Sequence, residues 1–381
     1  MQSQPTARRR QLRTWRPGPG PAEFKPVVSP QGKSKPLLDL ASNDYLGLCR
    51  HPELIEAAGA ALHSEGVGAG GSRLVTGSRP VHVALEEALA DWLGRERVLL
   101  FPSGFQANLA AVIALANRNT PVLADRLAHH SLLMGVKASG ARLQRYGHND
   151  LADLERRLKL CRHHQPHQRP LVVTESLFSM EGTSPPLSTM AELCEVHGAR
   201  LLVDEAHALG VIGLQGRGLC HGLSAPVSII SGTFGKAFGS GGAFLAGDCA
   251  MGDHLLQTSG AFRYTTALAP PLAAAALTAL NLIQSHPQWG KQLQERAEQW
   301  RGQLTARGWA RPPGYGPILS LVIGSDQQAL NRQSQLEEAG LLSVAIRPPT
   351  VPEGTARLRL VLRRGLPDET LERLMSALET G

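Results

Sequence analysis

The sequence of 381 residues predicts an α/β protein. Its large domain is a mostly parallel sheet with helices on both faces, and a smaller C-terminal α+β domain follows. Three observations predict this. Short apolar runs alternate with helix-length patterns from about residue 97 onward, as buried parallel strands with crossover helices require. The pattern changes after about residue 270. The length is that of about two domains rather than one. The expected division is an N-terminal arm over 1–45, a large domain over 46–270 and a small domain over 271–381.

In chain order, "PELIEAAGAALHSEG" (52–66) reads as a helix. "RVLLF" (97–101) reads as a strand with a helix after it at "GFQANLAAVIALANR". "PVLAD" (121–125) precedes a helix at "HHSLLMGVKASG", and "LVVTE" (171–175) precedes a loop and the helix "LSTMAELCEVHG". "ARLLVDE" (199–205) and "VSIISGTF" (227–234) are further strands. Beyond 270, prolines open the helix "PPLAAAALTALNLIQ", where a missing N–H costs nothing. A polar helix over about 288–307, the strand "ILSLVIG", the helix "QQALNRQSQLEEAG", the strands "LSVAIRP" and "ARLRLVL", and a last helix from Pro367 complete the chain.

Composition excludes several classes. With 42% apolar and 19% charged residues and no run of 18 uninterrupted apolar ones, the sequence predicts no transmembrane helix and no membrane partner. Five of the seven net positive charges come from the arginines of the first 22 residues. Such a start can imitate an organelle transit peptide, but "RPGPGPAEF" (16–24) breaks a helix early, so the expected setting is cytoplasmic. Aromatics are only 4% and no basic stripe continues through the body, which argues against a nucleic-acid partner. Five scattered cysteines with no C-x-x-C pair read as reduced, buried structural thiols.

Three motifs imitate other functions. "GVGAGG" (66–71) has the dinucleotide spacing but follows a helical stretch instead of a strand, so it reads as a turned loop. "DEAH" (204–207) lacks the phosphate loop of a nucleotide motor, since "GTFGKAFG" has Ala237 where a metal-binding hydroxyl belongs. "CRHHQPHQR" (161–169) has no second ligand cluster at metal spacing, so it reads as a solvated loop and no metal is expected.

"SGTFGKAFGSGGAF" (231–244) is different. It holds five glycines, three phenylalanines and a single charge, Lys236. An ammonium there is costly unless it is paired, deprotonated or used covalently. Asp204 and His207 follow one apolar run, Ser179 follows another, and Thr233 precedes the lysine. Gly104 and Phe105 open a helix after Ser103. Each has a bland reading as cap, turn or core residue. Together they meet the needs of pyridoxal 5'-phosphate. Gly104 and Phe105 offer N–H groups to its phosphate, and Ser179 and Thr233 offer hydroxyls. Asp204 suits the pyridine nitrogen, His207 the ring oxygen, and Lys236 the aldehyde. His129 is the candidate to stack on the ring.

"ASNDYLGL" (41–48), "GAGGSRLVTG" (68–77), "FPSGFQAN" (101–108), "LVDEAHALGVIGLQGRG" (202–218), "GTFGKAFGSGG" (232–242) and "IRPPTVPEGTARLRL" (346–360) together resemble the α-oxoamine synthases. These are pyridoxal-phosphate enzymes of fold type I, the aspartate-aminotransferase fold. The resemblance runs from about residue 40 to the C-terminus. Its C-terminal signature is similar to the branch that joins L-alanine to a pimeloyl thioester, carried by coenzyme A or an acyl carrier protein.

The resemblance implies Lys236, His129, Asp204 and His207 as the catalytic group. It implies Arg359 on the amino-acid carboxylate, Arg347 and Thr350 near the acyl substrate, and Asn43 in the pocket. It also implies a homodimer in which Thr265 or Thr266 reaches the phosphate of the other subunit. Relatives carry a substrate-contacting arginine on a longer N-terminal helix. Arg13 is the candidate for it here, against the reading of the arm as a basic tail. Rivals remain: a sister synthase using glycine or serine with another acyl-CoA, an aminotransferase, and a silent scaffold that keeps the fold.

Overall fold

The structure, a computed structural model, describes residues 6–27 and 35–379. Positions 1–5 and 28–34 of the expected arm lie outside the described residues. The chain divides into two compact units, one of residues 48–178 and 184–290, the other of residues 1–47, 179–183 and 291–381.

The larger unit is built on a seven-stranded sheet. Its order is Arg97–Phe101, Ala243–Gly247, Ile229–Thr233, Arg200–Asp204, Leu171–Glu175, Pro121–Asp125, Arg142–Tyr146. Neighbours from Ile229–Thr233 to Arg142–Tyr146 pair in parallel. Ala243–Gly247 runs antiparallel to both of its neighbours. The five strands expected in this unit are present. Two others escaped the sequence: Arg142–Tyr146 is a polar edge strand, and Ala243–Gly247 hides behind a glycine run.

Strands Pro121–Asp125, Leu171–Glu175 and Ala243–Gly247 are buried at every position, so their side chains on both faces need cover. The helix Gly104–Leu115 supplies part of it, laying Ala107, Ala111, Val112 and Leu115 into the core. The helix His130–Ser139 crosses against it. A Cβ on Gly135 would sit 2.8 Å from the Val112 Cβ, so only glycine permits this approach. The helix Leu151–His164 takes in the first four residues of the histidine-rich segment, leaving a shorter loop than expected.

The helix Pro270–Ser285 counts with the larger unit and not with the C-terminal one. It packs against the helices Pro52–Glu65 and Pro80–Leu93.

The smaller unit holds two sheets. Ile318–Gly324, Ala356–Val361 and Val344–Ile346 form an antiparallel one. The single strand expected over 342–348 is split: Leu341–Leu342 pairs in parallel with Leu37–Asp39, in a second sheet with Glu23–Pro26 and Trp15–Pro17. The described arm is therefore part of a fold. Arg8 Nε lies 2.7 Å from Asp326, and Arg8 also pairs with Glu353. Arg13 forks onto Glu337 at 2.6 and 2.9 Å with its guanidinium 4.5 Å above the Trp15 ring.

The last helix is Thr370–Glu379; Pro367 lies just before it, its carbonyl accepting the N–H and hydroxyl of Thr370. Cys161, Cys194 and Cys220 are buried, but Cys49 and Cys249 are exposed, which corrects the expectation of uniformly buried thiols. No helix among the described residues is long and apolar enough to cross a membrane.

Candidate active site

Lys236 lies on the loop after the strand Ile229–Thr233 and is half-buried; Phe234 and Phe238, on either side of it in sequence, are buried and pack edge to face with ring centroids 5.5 Å apart. Three of the glycines in its motif answer to the protein's own packing. A Cβ on Gly232 would meet the Phe244 ring at 2.3 Å. One on Gly239, at φ +62°, would meet the Cys49 backbone nitrogen at 2.3 Å. Gly242, at φ +97°, faces Leu268 and has a backbone shape that other residues resist.

A cavity of about 240 Å³ opens beside the lysine at the carboxyl ends of the parallel strands, where ligands of such sheets bind. Gly104, Phe105, His129, Asp204, His207, Thr233 and Lys236 all line it. Ser103 caps the helix Gly104–Leu115 by accepting from Gln106 N at 3.3 Å. The first-turn N–H groups that follow have no acceptor within the helix and form a ready anion cradle.

Asp204 ends its strand and is 7% exposed. Its Oδ1 accepts from Ala206 N at 2.9 Å and its Oδ2 from the Asn108 amide at 2.6 Å. The carboxylate is thus fixed in place before any ligand arrives. The Thr233 hydroxyl donates to the Gly242 carbonyl at 3.0 Å and accepts from Gly235 N. Burial holds the His129 imidazole below its ordinary pKa; the Asp204 carboxylate pulls the other way, while Lys236 and His130 add to the lowering.

Four polar residues on the cavity wall, Asn108, Ser131, Glu175 and Ser231, were missed by sequence reasoning. Asn108 left a readable signal: a polar side chain among the apolar residues of a buried helix, one turn after Gly104. Thr265 and Thr266 belong to the same unit but do not line the cavity.

The remaining expected residues belong to the smaller unit. Arg359 is 5% exposed, donating to the Ser179 carbonyl and to Asn43 Oδ1, both at 2.6 Å. Burial lowers its pKa, and Tyr45 offsets part of the lowering. Ser179, placed by sequence as a hydroxyl for the phosphate, here meets Arg359 through its main chain. Thr350 accepts from Arg10 at 2.9 Å, and Arg347 donates to the Ala7 carbonyl. The arm arginine that reaches Thr350 is therefore Arg10, whereas Arg13 is engaged by Glu337.

Pyridoxal phosphate fits the larger unit's cavity by donor chemistry. The fixed carboxylate of Asp204, the Lys236 amine, two imidazoles and a helix N-terminus line a single space. Among the described residues no group of three or more His, Cys, Asp or Glu side chains could hold a metal.

Known proteins agree with this class of site. Residues 35–378 match the model of the aminotransferase class I and II family, and the chain belongs to that family. A serine palmitoyltransferase solved with its PLP internal aldimine superposes with a TM-score of 0.90 at 28% identity, over 97% of this chain and 92% of that one. The cofactor of this chain is pyridoxal 5'-phosphate, and the chain is a fold-type-I enzyme of the α-oxoamine synthases.

Two curated relatives are more specific. The 8-amino-7-oxononanoate synthase of Alkalilimnicola ehrlichii is 43% identical over 88% of this chain and 86% of its own length. That of Methylococcus capsulatus is 44% identical over 90% and 88%.

Proposed function

We infer that the chain joins L-alanine to a pimeloyl thioester, with loss of carbon dioxide and free thiol, to give 8-amino-7-oxononanoate in biotin biosynthesis. The observation that carries this reading is the single cavity shared by Lys236, Asp204, His207 and His129. When bound, pyridoxal phosphate supplies an electron-withdrawing ring for the electron pair left on the amino-acid α-carbon. Lys236 would hold the cofactor through its amine, and the same amine would serve as the base for the α-proton. Asp204 keeps the ring nitrogen protonated, and a carboxylate already held by two donors needs no rearrangement to do so. His207 bonds the ring oxygen. His129 would help to hold the cofactor ring and would donate to the thioester carbonyl. Gly104, Phe105 and Thr233 would serve the phosphate end.

In the smaller unit, Arg359 is the fork for the alanine carboxylate, a role that suits a planar guanidinium. Asn43 orients it at 2.6 Å. Arg347 and Thr350 serve the acyl substrate, and the contact of Arg10 with Thr350 supports adding Arg10 to them. The acyl group arrives on coenzyme A or on an acyl carrier protein.

We extend the reading to a cytoplasmic homodimer. The exposed apolar side chains Val67, Val75 and Tyr264 flank the glycine loop and the threonine pair that the resemblance assigns to a neighbouring copy. Thr265 and Thr266 have no place in their own unit's cavity. The five cysteines, all present as thiols, suit a reducing compartment.

Product analysis with L-alanine and pimeloyl-CoA tests the reaction. The expected result is 8-amino-7-oxononanoate with equimolar carbon dioxide and free thiol, and loss of both turnover and the visible cofactor band in Lys236→Ala. Turnover with serine or glycine and another acyl-CoA, but none with alanine, would overturn the assignment in favour of a sister synthase.

A further inference from the structure

We propose that Asn108 and Ser131 are positioning residues that set the tautomer of His129, forming a directed hydrogen-bond chain from Asp204 that leaves the imidazole proton on Nε2. The proposal rests on the pyridoxal-phosphate reading of the cavity but not on the identity of the substrate.

The argument begins at Asp204. An ionised carboxylate only accepts hydrogen bonds, so the group of Asn108 lying 2.6 Å from Asp204 Oδ2 must be its NH2. This settles the amide orientation on chemical grounds. The second N–H of the same amide points at Ser131 Oγ, 3.0 Å away. Ser131 Oγ therefore accepts there, and its own proton is free to go elsewhere. It lies 2.7 Å from His129 Nδ1. The main-chain N–H of Ser131 also points at Nδ1, at 3.3 Å. A backbone N–H can only donate, so Nδ1 is an acceptor and the neutral ring carries its proton on Nε2.

Two further observations show that the chain is built in. Asn108 is 3% exposed and Ser131 is fully buried. The Asn108 carbonyl oxygen is buried with no hydrogen-bond partner among the described residues. The amide leaves its acceptor unused while both of its donors are engaged. Gly135 is the second device. Without a side chain there, the helices Gly104–Leu115 and His130–Ser139 approach closely enough to bring Asn108 beside Ser131. A Cβ on Gly135 would also lie 3.4 Å from the Asn108 main-chain oxygen.

The chemical consequence is a histidine that presents a neutral N–H donor. Burial favours the same neutral form, and the charged groups facing the ring are Asp204, which opposes it, and Lys236 and His130, which support it. A donor of this kind polarises a carbonyl without bringing a full charge beside Lys236.

Nitrogen-15 NMR of ring-labelled protein tests this in both the cofactor-free and the loaded chain, whatever substrate is turned over. The expected His129 signal is that of the neutral Nε2–H tautomer, titrating below the ordinary histidine range. Ser131→Ala removes the 2.7 Å hydroxyl contact and Asn108→Ala releases its direction, so that Nδ1 is held mainly by the longer 3.3 Å main-chain N–H; both are expected to shift the ring nitrogens toward a mixture of tautomers. In the loaded enzyme they should lower kcat by about tenfold or more, the scale of one general-acid contribution, with KM for alanine little changed. An Nδ1–H tautomer in the unsubstituted protein would overturn the proposal without any variant. Ring shifts that stay unchanged in both folded variants would overturn it as well. Failure of the alanine and pimeloyl-CoA assay alone would reject the proposed reaction and leave the tautomer measurement standing.

Discussion

Asp204 and Glu205 are neighbours in sequence and opposites in role. Asp204 lines the cavity with both oxygens held by donors. Glu205 is fully buried on the other side of the chain, its carboxylate accepting from Leu219 N at 2.6 Å and Cys220 N at 3.2 Å. Burial, opposed by these bonds, pushes its pKa from 4.5 up to about 7. The native state therefore holds a proton that the unfolded chain has released across this window. Stability from Glu205 is full below about pH 4.5 and is lost as pH rises through about 7. Urea unfolding between pH 5 and pH 8 should show this decline, and Glu205→Gln should flatten it. The gain at the upper end is on the order of 1–3 kcal/mol, from a carboxyl that no longer has to ionise in the interior. A decline of the same size in the variant would remove Glu205 as its cause.

At the scale of elements, the crossing at Gly135 is the contact on which the site's geometry depends most. Helix propensity alone would favour alanine at this position by up to about 1 kcal/mol. The new methyl would instead collide with Val112, a β-branched residue with little rotamer freedom. Gly135→Ala is expected to destabilise by about 1–3 kcal/mol, as overpacked cores do, and to disturb the His129 ring signal. A higher urea midpoint would show that the helices separate at no cost.

The same scale explains what the sequence disclosed. Five strands of the larger sheet and the helices between them were legible because buried parallel strands are continuous apolar runs. "RLQRY" was not, being an edge strand with only Tyr146 buried. Lys236, Asp204, His207 and His129 were legible because each lies at or soon after a strand end with chemistry out of keeping with its surroundings. Asn108 and Ser131 act through neighbours supplied by another helix, and no spacing in one segment reports a contact between two. The arm was left open between a substrate contact and a basic tail for a related reason. Its arginines look like a tail until Asp326, Glu337 and Glu353 are brought in from more than 300 residues away.

For the molecule as a whole, the expected assembly is a pair of chains. Sedimentation should give about twice the chain mass of 40.8 kDa. A stable single-chain mass with full activity would show that Thr265 and Thr266 serve no neighbouring site. The placement of the thiols has a further practical meaning. Cys161, Cys194 and Cys220 are sealed inside, and burial pushes Cys194 up to about 12, so it holds almost no reactive thiolate. Covalent linkage between molecules in air is left to Cys49 and Cys249, neither of which borders the lysine cavity. An aged, oxidised preparation would therefore become polydisperse while its catalytic amine stayed intact, so that loss of a single species on a sizing column and loss of turnover are separate kinds of damage.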